Sequence, residues 1–524
     1  MNASALQTYT NAVSLLWPEI FVVIAILLTS VWNLFFPKSK EMTPLFAMVG
    51  LGAAFATLLV GQYLIEPQIL FDGLFRVDKL TVTFGLLITI IGMIVTLMTM
   101  GYEHHLGRNR GEFYSILLTA ILAVMLLAGA TDLIMLFVGL ETLSICCVLL
   151  AGFSKADVKS NEASLKYLLS TAATTATLLY GLSFVYGLTG STSYTVIAEK
   201  MSILAQPPES LIHPFIIILL LSAVGFKLSA VPFHMWTPDV YEGAPTPVTA
   251  FLSIGSKAGG FVIALRLLFM IFGKTSVDWT LIVTGLSIMS MIMGNLIALA
   301  QNSLKRMLAY SSIAHVGYIL IGLTTCTPQG LAAMMFYIIV YGFMNLGAFA
   351  GAILISNETG SDDINDLAGL MKKRPILTLL LSVCLLNLAG LPIPPAGFFA
   401  KLFIFAAGMQ MPLMVGNFPV GMLLVAVALV TSVPAIYYYT RVVIKMVVRE
   451  PSDKVLALPE TRPFFDSPQS CLFMALGLCV AIIFLAGTVA IDPLMRLSNQ
   501  AITPLLTTTD GNGPVGMIPG HGTQ

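Results

Sequence analysis

Four charged residues stand inside apolar runs, where only a partner group or a wet path can hold them. Glu141 lies in LFVGLETLSICC, Lys227 in VGFKLSAVPFH, Lys257 in FLSIGSKAGGF and Lys401 in GFFAKLFIF. A charge at bilayer depth costs about 3 kcal/mol, so four cost roughly 10 kcal/mol, as much as a domain's whole stability. The chemistry open to a carboxylate and three lysines is proton transfer. A nearby carboxylate keeps a buried lysine protonated, and withdrawing it favours release of the proton. Arginine cannot take that part, because it stays charged. On this reading Glu141 tunes Lys227, Lys257 passes the proton laterally, and Lys401 exchanges it with the far side. A structural reading stands beside it: Glu141 and Lys227 form a buried salt bridge that fixes packing, while Lys257 and Lys401 snorkel to an interface.

Other polar residues carry weaker signals. His315, in YSSIAHVGY, is placed to bridge Lys257 and Lys401 or to serve as a packing residue. Lys166 is a gate or a snorkelling side chain near the inner end of its span, and His234 sits where it could hold water. Arg266, Arg441 and Lys445 lie near span ends and are expected at the interface. Glu19 receives no role.

The elements that must position these groups follow from hydropathy. Of 524 residues 57% are hydrophobic and 10% charged, with mean hydropathy +0.91. A soluble domain carries about 25% charged residues, so the chain is an all-α polytopic membrane protein. About 20 apolar residues cross a bilayer, which gives fourteen spans, near 15–36, 44–64, 79–101, 113–130, 132–152, 163–189, 212–232, 246–272, 278–300, 303–323, 329–356, 375–409, 418–447 and 471–492. The stretch MNASALQTYTNAVSLLWPE has no Lys or Arg and leads into a first span rather than a cleaved signal. After 493 a Thr-, Gly- and Pro-rich tail is expected to be loosely ordered.

Two spans are broken by proline, the seventh at Val231-Pro232 and the twelfth in LPIPP at 391–395. Irregular chain at that depth must face protein or a water-filled cavity. The breaks lie five spans apart, and an odd step inverts a repeated unit, which places a pathway at the interface of two halves. The expected division is 1–112 with three spans, 113–272 and 278–447 as two inverted five-helix half-channels, and 448–524 as a loop, a last span and a tail. With the N-terminus outside, inner loops hold fourteen Lys and Arg against five outside, so both termini are expected on the non-cytoplasmic side.

Several function classes drop out. Net charge is zero, which removes nucleic acid as a partner. The six cysteines form no C-x-x-C pair, and neither a P-loop nor a G-x-G-x-x-G follows a strand. Redox centres and nucleotides are therefore not expected in this chain.

The Glu141 segment, GFKLSAVPFHMWTPDVYEGAPTPVTAFLSIGSKAGGF at 225–261, LKRMLAYSSIAHVGY at 304–318 and LAGLPIPPAGFFAKLFIF at 388–405 together resemble the antiporter-like, proton-pumping membrane subunits of respiratory complex I and its relatives. EGAPTPVTAFLSIGSK and Lys401 point within them to the subunit 2 group, and the length with its 448–470 loop to the cyanobacterial and plastid form. The resemblance covers most of 100–450. It implies that Glu141 and Lys227 are the charged pair of a first half-channel, Lys257 the central connector and Lys401 the exit lysine, with His315 on the same axis. It also implies other membrane-arm and quinone-module subunits as partners, with (plasto)quinone and iron–sulfur clusters held there and none here. Ferredoxin or NAD(P)H would be the donor to the complex, membrane lipid the surroundings, and the thylakoid membrane, with lumenal termini, the location. The alternatives are a subunit of a multi-subunit cation/proton antiporter, and a non-pumping scaffold.

Overall fold

The computed structural model describes residues 13–36, 42–64, 66–103, 106, 110–204, 212–273, 276–415, 418–459 and 469–506. Among them twelve helices are long and apolar enough to cross a membrane. They are α1 (Trp17–Phe35), α2 (Met42–Leu64), α3 (Lys79–Met100), α4 (Arg110–Gly129), α5 (Leu133–Ala151), α6 (Val158–Thr189), α10 (Thr246–Ile271), α11 (Ser276–Leu299), α12 (Leu304–Thr324), α13 (Pro328–Thr359), α17 (Val420–Val448) and α19 (Ser470–Gly487). Between α6 and α10 come α7 (Tyr194–Leu204), α8 (Ile212–Leu228) and α9 (Trp236–Gly243). Between α13 and α17 come α14 (Leu370–Lys373), α15 (Pro375–Ala389) and α16 (Ala396–Met409). The two expected breaks are present: α8 stops before Pro232, and α15 and α16 are parted by the LPIPP segment. The shorter apolar helices α8, α15 and α16 occupy the seventh and twelfth of the fourteen spans expected from hydropathy.

Helix ends follow the capping chemistry of the sequence. Asp132, Asp157, Ser303 and Thr327 each accept a backbone N–H at the starts of α5, α6, α12 and α13. Gly190 and Gly360, both at φ +65, close α6 and α13. These two helices are both 32 residues long, and the chain after each one behaves alike. After α6, Leu133 N donates to Thr192 O (2.9 Å) and Tyr194 N to Thr131 O (3.1 Å); after α13, Leu304 N donates to Asp362 O (2.8 Å) and Ile364 N to Asn302 O (2.8 Å). The same clasp thus ties α5 to the chain after α6, and α12 to the chain after α13.

The core centres on α12 and α13, which are almost wholly buried, and on α10. Around α13 pack α19, α16, α12 and α15. Two features depart from the expected plan. Helix α10 is interrupted by π-helical turns at Leu252–Ser256 and Arg266–Ile271, flanking the segment that begins with Lys257. The segment expected to be loose after 493 forms α20 (Ile491–Leu506) instead; α18 (Asp453–Leu456) lies in the loop before α19. Ser498, Ala501, Ile502 and Leu505 fall at helical spacing and are buried against α13 and α3. Turn-like residue types there gave way to an apolar stripe that the bundle could cover. The remainder of that tail, 507–524, lies outside the described residues.

Candidate functional site

At the first break, chain that has left the helix finds partners from side chains. Ser229 is at φ +63, Trp236 Nε1 donates to Phe226 O at 3.2 Å, and Val231 N donates to Ser290 Oγ of α11 at 2.9 Å. At the second, Gly390 at φ +84 ends α15, and Gly397 N donates to Asn387 Oδ1 at 3.2 Å. Such substitution is what hydrocarbon depth demands of non-helical backbone.

Lys227 is in the last turn of α8 and 2% exposed. Its ammonium donates to Ser144 Oγ at 3.0 Å, whereas the Glu141 carboxylate, half-buried, accepts from Thr175 Oγ1 at 2.6 Å. No direct salt bridge joins them, contrary to the structural reading. Each charge is handed to a neutral hydroxyl, Glu141 to Thr175 of α6 and Lys227 to Ser144, one turn from Glu141 on α5. Thr175 was not a candidate; its only signal is the hydroxyl-rich STAATTAT run in α6.

Gly259 and Gly260 explain how α10 comes so close. A methyl group on Gly259 would meet Leu143 of α5 at 2.8 Å, and one on Gly260 would meet Leu228 and the Lys227 Cβ at 2.9 and 3.4 Å. The helix carrying Lys257 is thereby laid directly on those carrying Glu141 and Lys227. Lys257 is fully buried and donates to Ser312 O at 3.1 Å and to Ser312 Oγ.

From Ser312 one face of α12 continues the file through His315 and Tyr318, a turn apart. His315 shares hydrogen bonds with Tyr337 Oη at 2.9 Å through Nδ1 and with Tyr439 Oη at 3.3 Å through Nε2, and Tyr341 lies against its ring at 4.9 Å. Tyr318 Oη accepts from Asn295 Nδ2 at 3.0 Å and pairs with Thr431 Oγ1 at 3.2 Å. Over its ring, 5.1 Å from the centroid, stands the Lys401 ammonium, which donates to Ala389 O at 2.8 Å. Lys401 follows its break in sequence, yet reaches back to the carbonyl end of α15, where the helix dipole favours a cation. Neither Lys257 nor Lys401 reaches an interface, and neither has a carboxylate partner among the described residues. The tyrosines were missed, although YIIVY in α13 and YYY in α17 place polar tips in apolar runs.

Along the file several buried polar atoms lack a protein partner: the hydroxyls of Tyr167, Ser256, Tyr241 and Tyr341, and both amide atoms of Asn345. Buried groups of this kind take up ordered water.

The remaining candidates fall elsewhere. His234 is buried in the first break and its Nδ1 has no partner. Lys166 is outside the buried file, in a rim cleft of about 220 Å³. There Asp239 and Glu242 of α9 gather cations from two helices: Lys166 (2.7 Å) and Lys159 (3.1 Å) from α6, and Arg306 from α12 at 3.3 and 2.7 Å. Burial works against the Asp239 carboxylate, but Lys166 and Arg306 outweigh it and hold the group below its ordinary pKa. Glu242 is lowered in the same way against burial, by Arg306 and Lys159. Arg441 behaves as an end-of-span residue, donating to Leu299 O and Gln301 O. Arg266 does not. It is 1% exposed and bidentate to Asp78 at 2.8 Å to each oxygen, with further bonds to Thr81 Oγ1 and Ala128 O. The interfacial expectation fails because a partner 188 residues away meets it inside the bundle.

Two broken helices flanking a file of buried lysines and hydroxyls define an antiporter-like integral membrane subunit. The chain belongs to the NADH:quinone oxidoreductase/Mrp antiporter transmembrane family, whose model matches residues 130–432. It is 45% identical over 514 residues to NAD(P)H-quinone oxidoreductase subunit 2 of Trichodesmium erythraeum (strain IMS101), covering 97% of this chain and 95% of that one. With subunit 2 of Rippkaea orientalis (strain PCC 8801 / RF-1) it shares 44% over 524 residues, 99% of each. Among solved structures it is similar to a chain of respiratory complex I from Thermus thermophilus with bound aureothin, at 30% identity and TM-score 0.70, covering 90% of this chain and 98% of that one. A chain of the Mrp complex from Dietzia sp. DQ12-45-1b superposes with TM-score 0.80 at 20% identity, covering 94% and 97%, a likeness of fold alone.

Proposed function

We propose that this chain is the subunit 2-type, proton-translocating part of a membrane arm, in a complex that couples electron transfer to quinone with proton pumping. The observation that carries the proposal is the row of buried polar groups from Lys257 through Ser312, His315 and Tyr318 to Lys401, set between two broken helices. Glu141 and Lys227 form the entrance of the first half-channel, within 113–272, and Lys401 the exit of the second, within 278–447. The recurring clasps after α6 and α13 support treating these halves as inverted repeats. A charge change in the quinone module alters the Glu141–Lys227 separation, Lys227 yields a proton toward Lys257, and Lys401 releases one. Moving one charge across 100 mV costs about 2.3 kcal/mol, within reach of a lysine whose protonation preference shifts by two pH units at about 1.4 kcal/mol each. His315, His234 and the orphan hydroxyls hold water along the way, and Lys166 acts at the rim. Quinone, expected to be plastoquinone, and the iron–sulfur clusters sit in partner subunits, with ferredoxin or NAD(P)H as donor. The identity to cyanobacterial relatives supports a thylakoid membrane location and favours this reading over a cation/proton antiporter; lumenal termini rest on the basic residues of the loops.

The test is proton uptake per electron by the complex in proteoliposomes. Lys257→Ala and Lys401→Ala are expected to lower the ratio while the other membrane-arm subunits still assemble. Undiminished ratios in both, and in Lys227→Ala and Glu141→Ala, would discard the relay.

A further inference from the structure

Another buried carboxylate lies outside the relay. Glu19, in the first turn of α1, is 8% exposed, and its Oε2 has no hydrogen-bond partner. An unpaired buried carboxyl oxygen is expensive, and its retention calls for a donor. Glu19 lines a cleft of about 430 Å³ formed where α1 begins, α2 ends and α3 begins. That volume lies within the range of small-molecule sites, roughly 300–1,000 Å³. The other walls are largely apolar: Leu15, Leu58, Val60 and Val82.

The polar groups beside Glu19 are already engaged. Thr57 Oγ1 donates to Ala53 O and Ala54 O of its own helix, and Thr81 Oγ1 donates to Arg76 O and accepts from Arg266. The Arg266 guanidinium is committed to Asp78, whose carboxylate also pairs with Arg76 at 3.2 Å. Trp17, also lining the cleft and 45% exposed, marks the level of a membrane–water interface. The cleft opens beside exposed residues of α2, with Val60 62% exposed, so in a bilayer hydrocarbon chains have access to it.

We propose that this cleft is a lipid-binding site that seats a neutral, sugar-headed lipid, its upper acyl chain against Leu58 and Val60 and a headgroup hydroxyl donating to Glu19. A hydroxyl supplies the missing donor without bringing another full charge out of water. The site is independent of the relay, and its test does not touch pumping.

The assembled complex is placed in vesicles of phosphatidylcholine doped with one diazirine-tailed lipid, headed by galactose, ethanolamine or choline, and labelled peptides are identified by mass spectrometry. The galactose-headed probe should label residues 14–19 and 56–61 at least tenfold more than the choline-headed one. Glu19→Ala should bring it down to the choline level, and Ala56→Phe, which fills the cleft, should remove labelling by every probe. Glu19→Gln, which keeps an acceptor oxygen, should retain most of the preference and serves as the check that loss in Glu19→Ala is not misfolding. Equal labelling by all three heads would overturn the proposal, as would a preference for ethanolamine. So would labelling that arises only after residues 2–12 are deleted, because the chain's own N-terminal segment would then be the occupant.

Discussion

The Lys257 ammonium rests on a serine, and the Lys401 ammonium on a carbonyl and an aromatic face. Arg266 is treated otherwise, locked bidentate onto Asp78, with its Nε and a second guanidinium N–H also satisfied. The contrast sets two lysines held by neutral groups apart from an arginine fastened to a carboxylate. Removing one partner of a buried ion pair strands the other, at about 3–5 kcal/mol, whereas replacing both is often close to neutral. Arg266→Met is accordingly expected to lower the thermal stability of the complex, and Arg266→Met with Asp78→Leu to recover part of it, since Arg76, 3.2 Å from Asp78, loses the same carboxylate. The readout is the midpoint of detergent-solubilised unfolding, and a double variant no better than the single would refute the fastening role. The lysines and Glu141 were legible in the sequence because an isolated charge contradicts the apolar run around it. Thr175 and the tyrosines contradict nothing locally, and only their partners reveal them.

Among the elements, the breaks and α9 carry the geometry. Gly390 closes α15 at φ +84, a region that favours glycine, and a Cβ there would lie 2.8 Å from Lys401 Cδ and 3.1 Å from its ammonium. Gly390→Ala combines a backbone cost of about 1–3 kcal/mol with displacement of Lys401 from Ala389 O. Proton translocation is expected to fall more than quinone reduction, read as the proton-to-electron ratio; an unchanged ratio would mean that Lys401 does not work from this position. Helix α9 clamps α6, which carries Thr175, to α12, which carries the file. Both clamping carboxylates are held below their ordinary pKa, so their contribution is complete above about pH 4 and is lost as pH falls through the lower folded values. Being partly exposed, the clamp should also weaken in salt. Trp236 of α9, stacked on Tyr167 at 4.4 Å, reports on it. Its fluorescence, taken against Trp236→Phe, should hold steady down to about pH 5 and change below about pH 4. A change beginning near neutrality would point to another group. Element boundaries were mostly legible from capping residues and proline. The π turns of α10 were not, since no residue type announces them.

For the whole molecule, the basic residues of the loops predict that both termini share the non-cytoplasmic side. Single cysteines at Ala156, before α6, and at Ser191, after it, should react with a membrane-impermeant maleimide from opposite faces of sealed vesicles, with Ser191→Cys on the side of the termini. Labelling from the reverse faces would invert the orientation of the relay. The sequence by itself determined that this is a membrane bundle, where its two breaks fall, and which four charges are anomalous, because hydrocarbon penalises charge and loose backbone wherever they occur. The tertiary structure decided that Glu141 and Lys227 are not directly paired, that Lys401 reaches back across its break, that Arg266 is buried with Asp78, and that 491–506 is helix. Those outcomes depend on which surfaces the bundle brings together across long stretches of chain, and local periodicity holds no record of that.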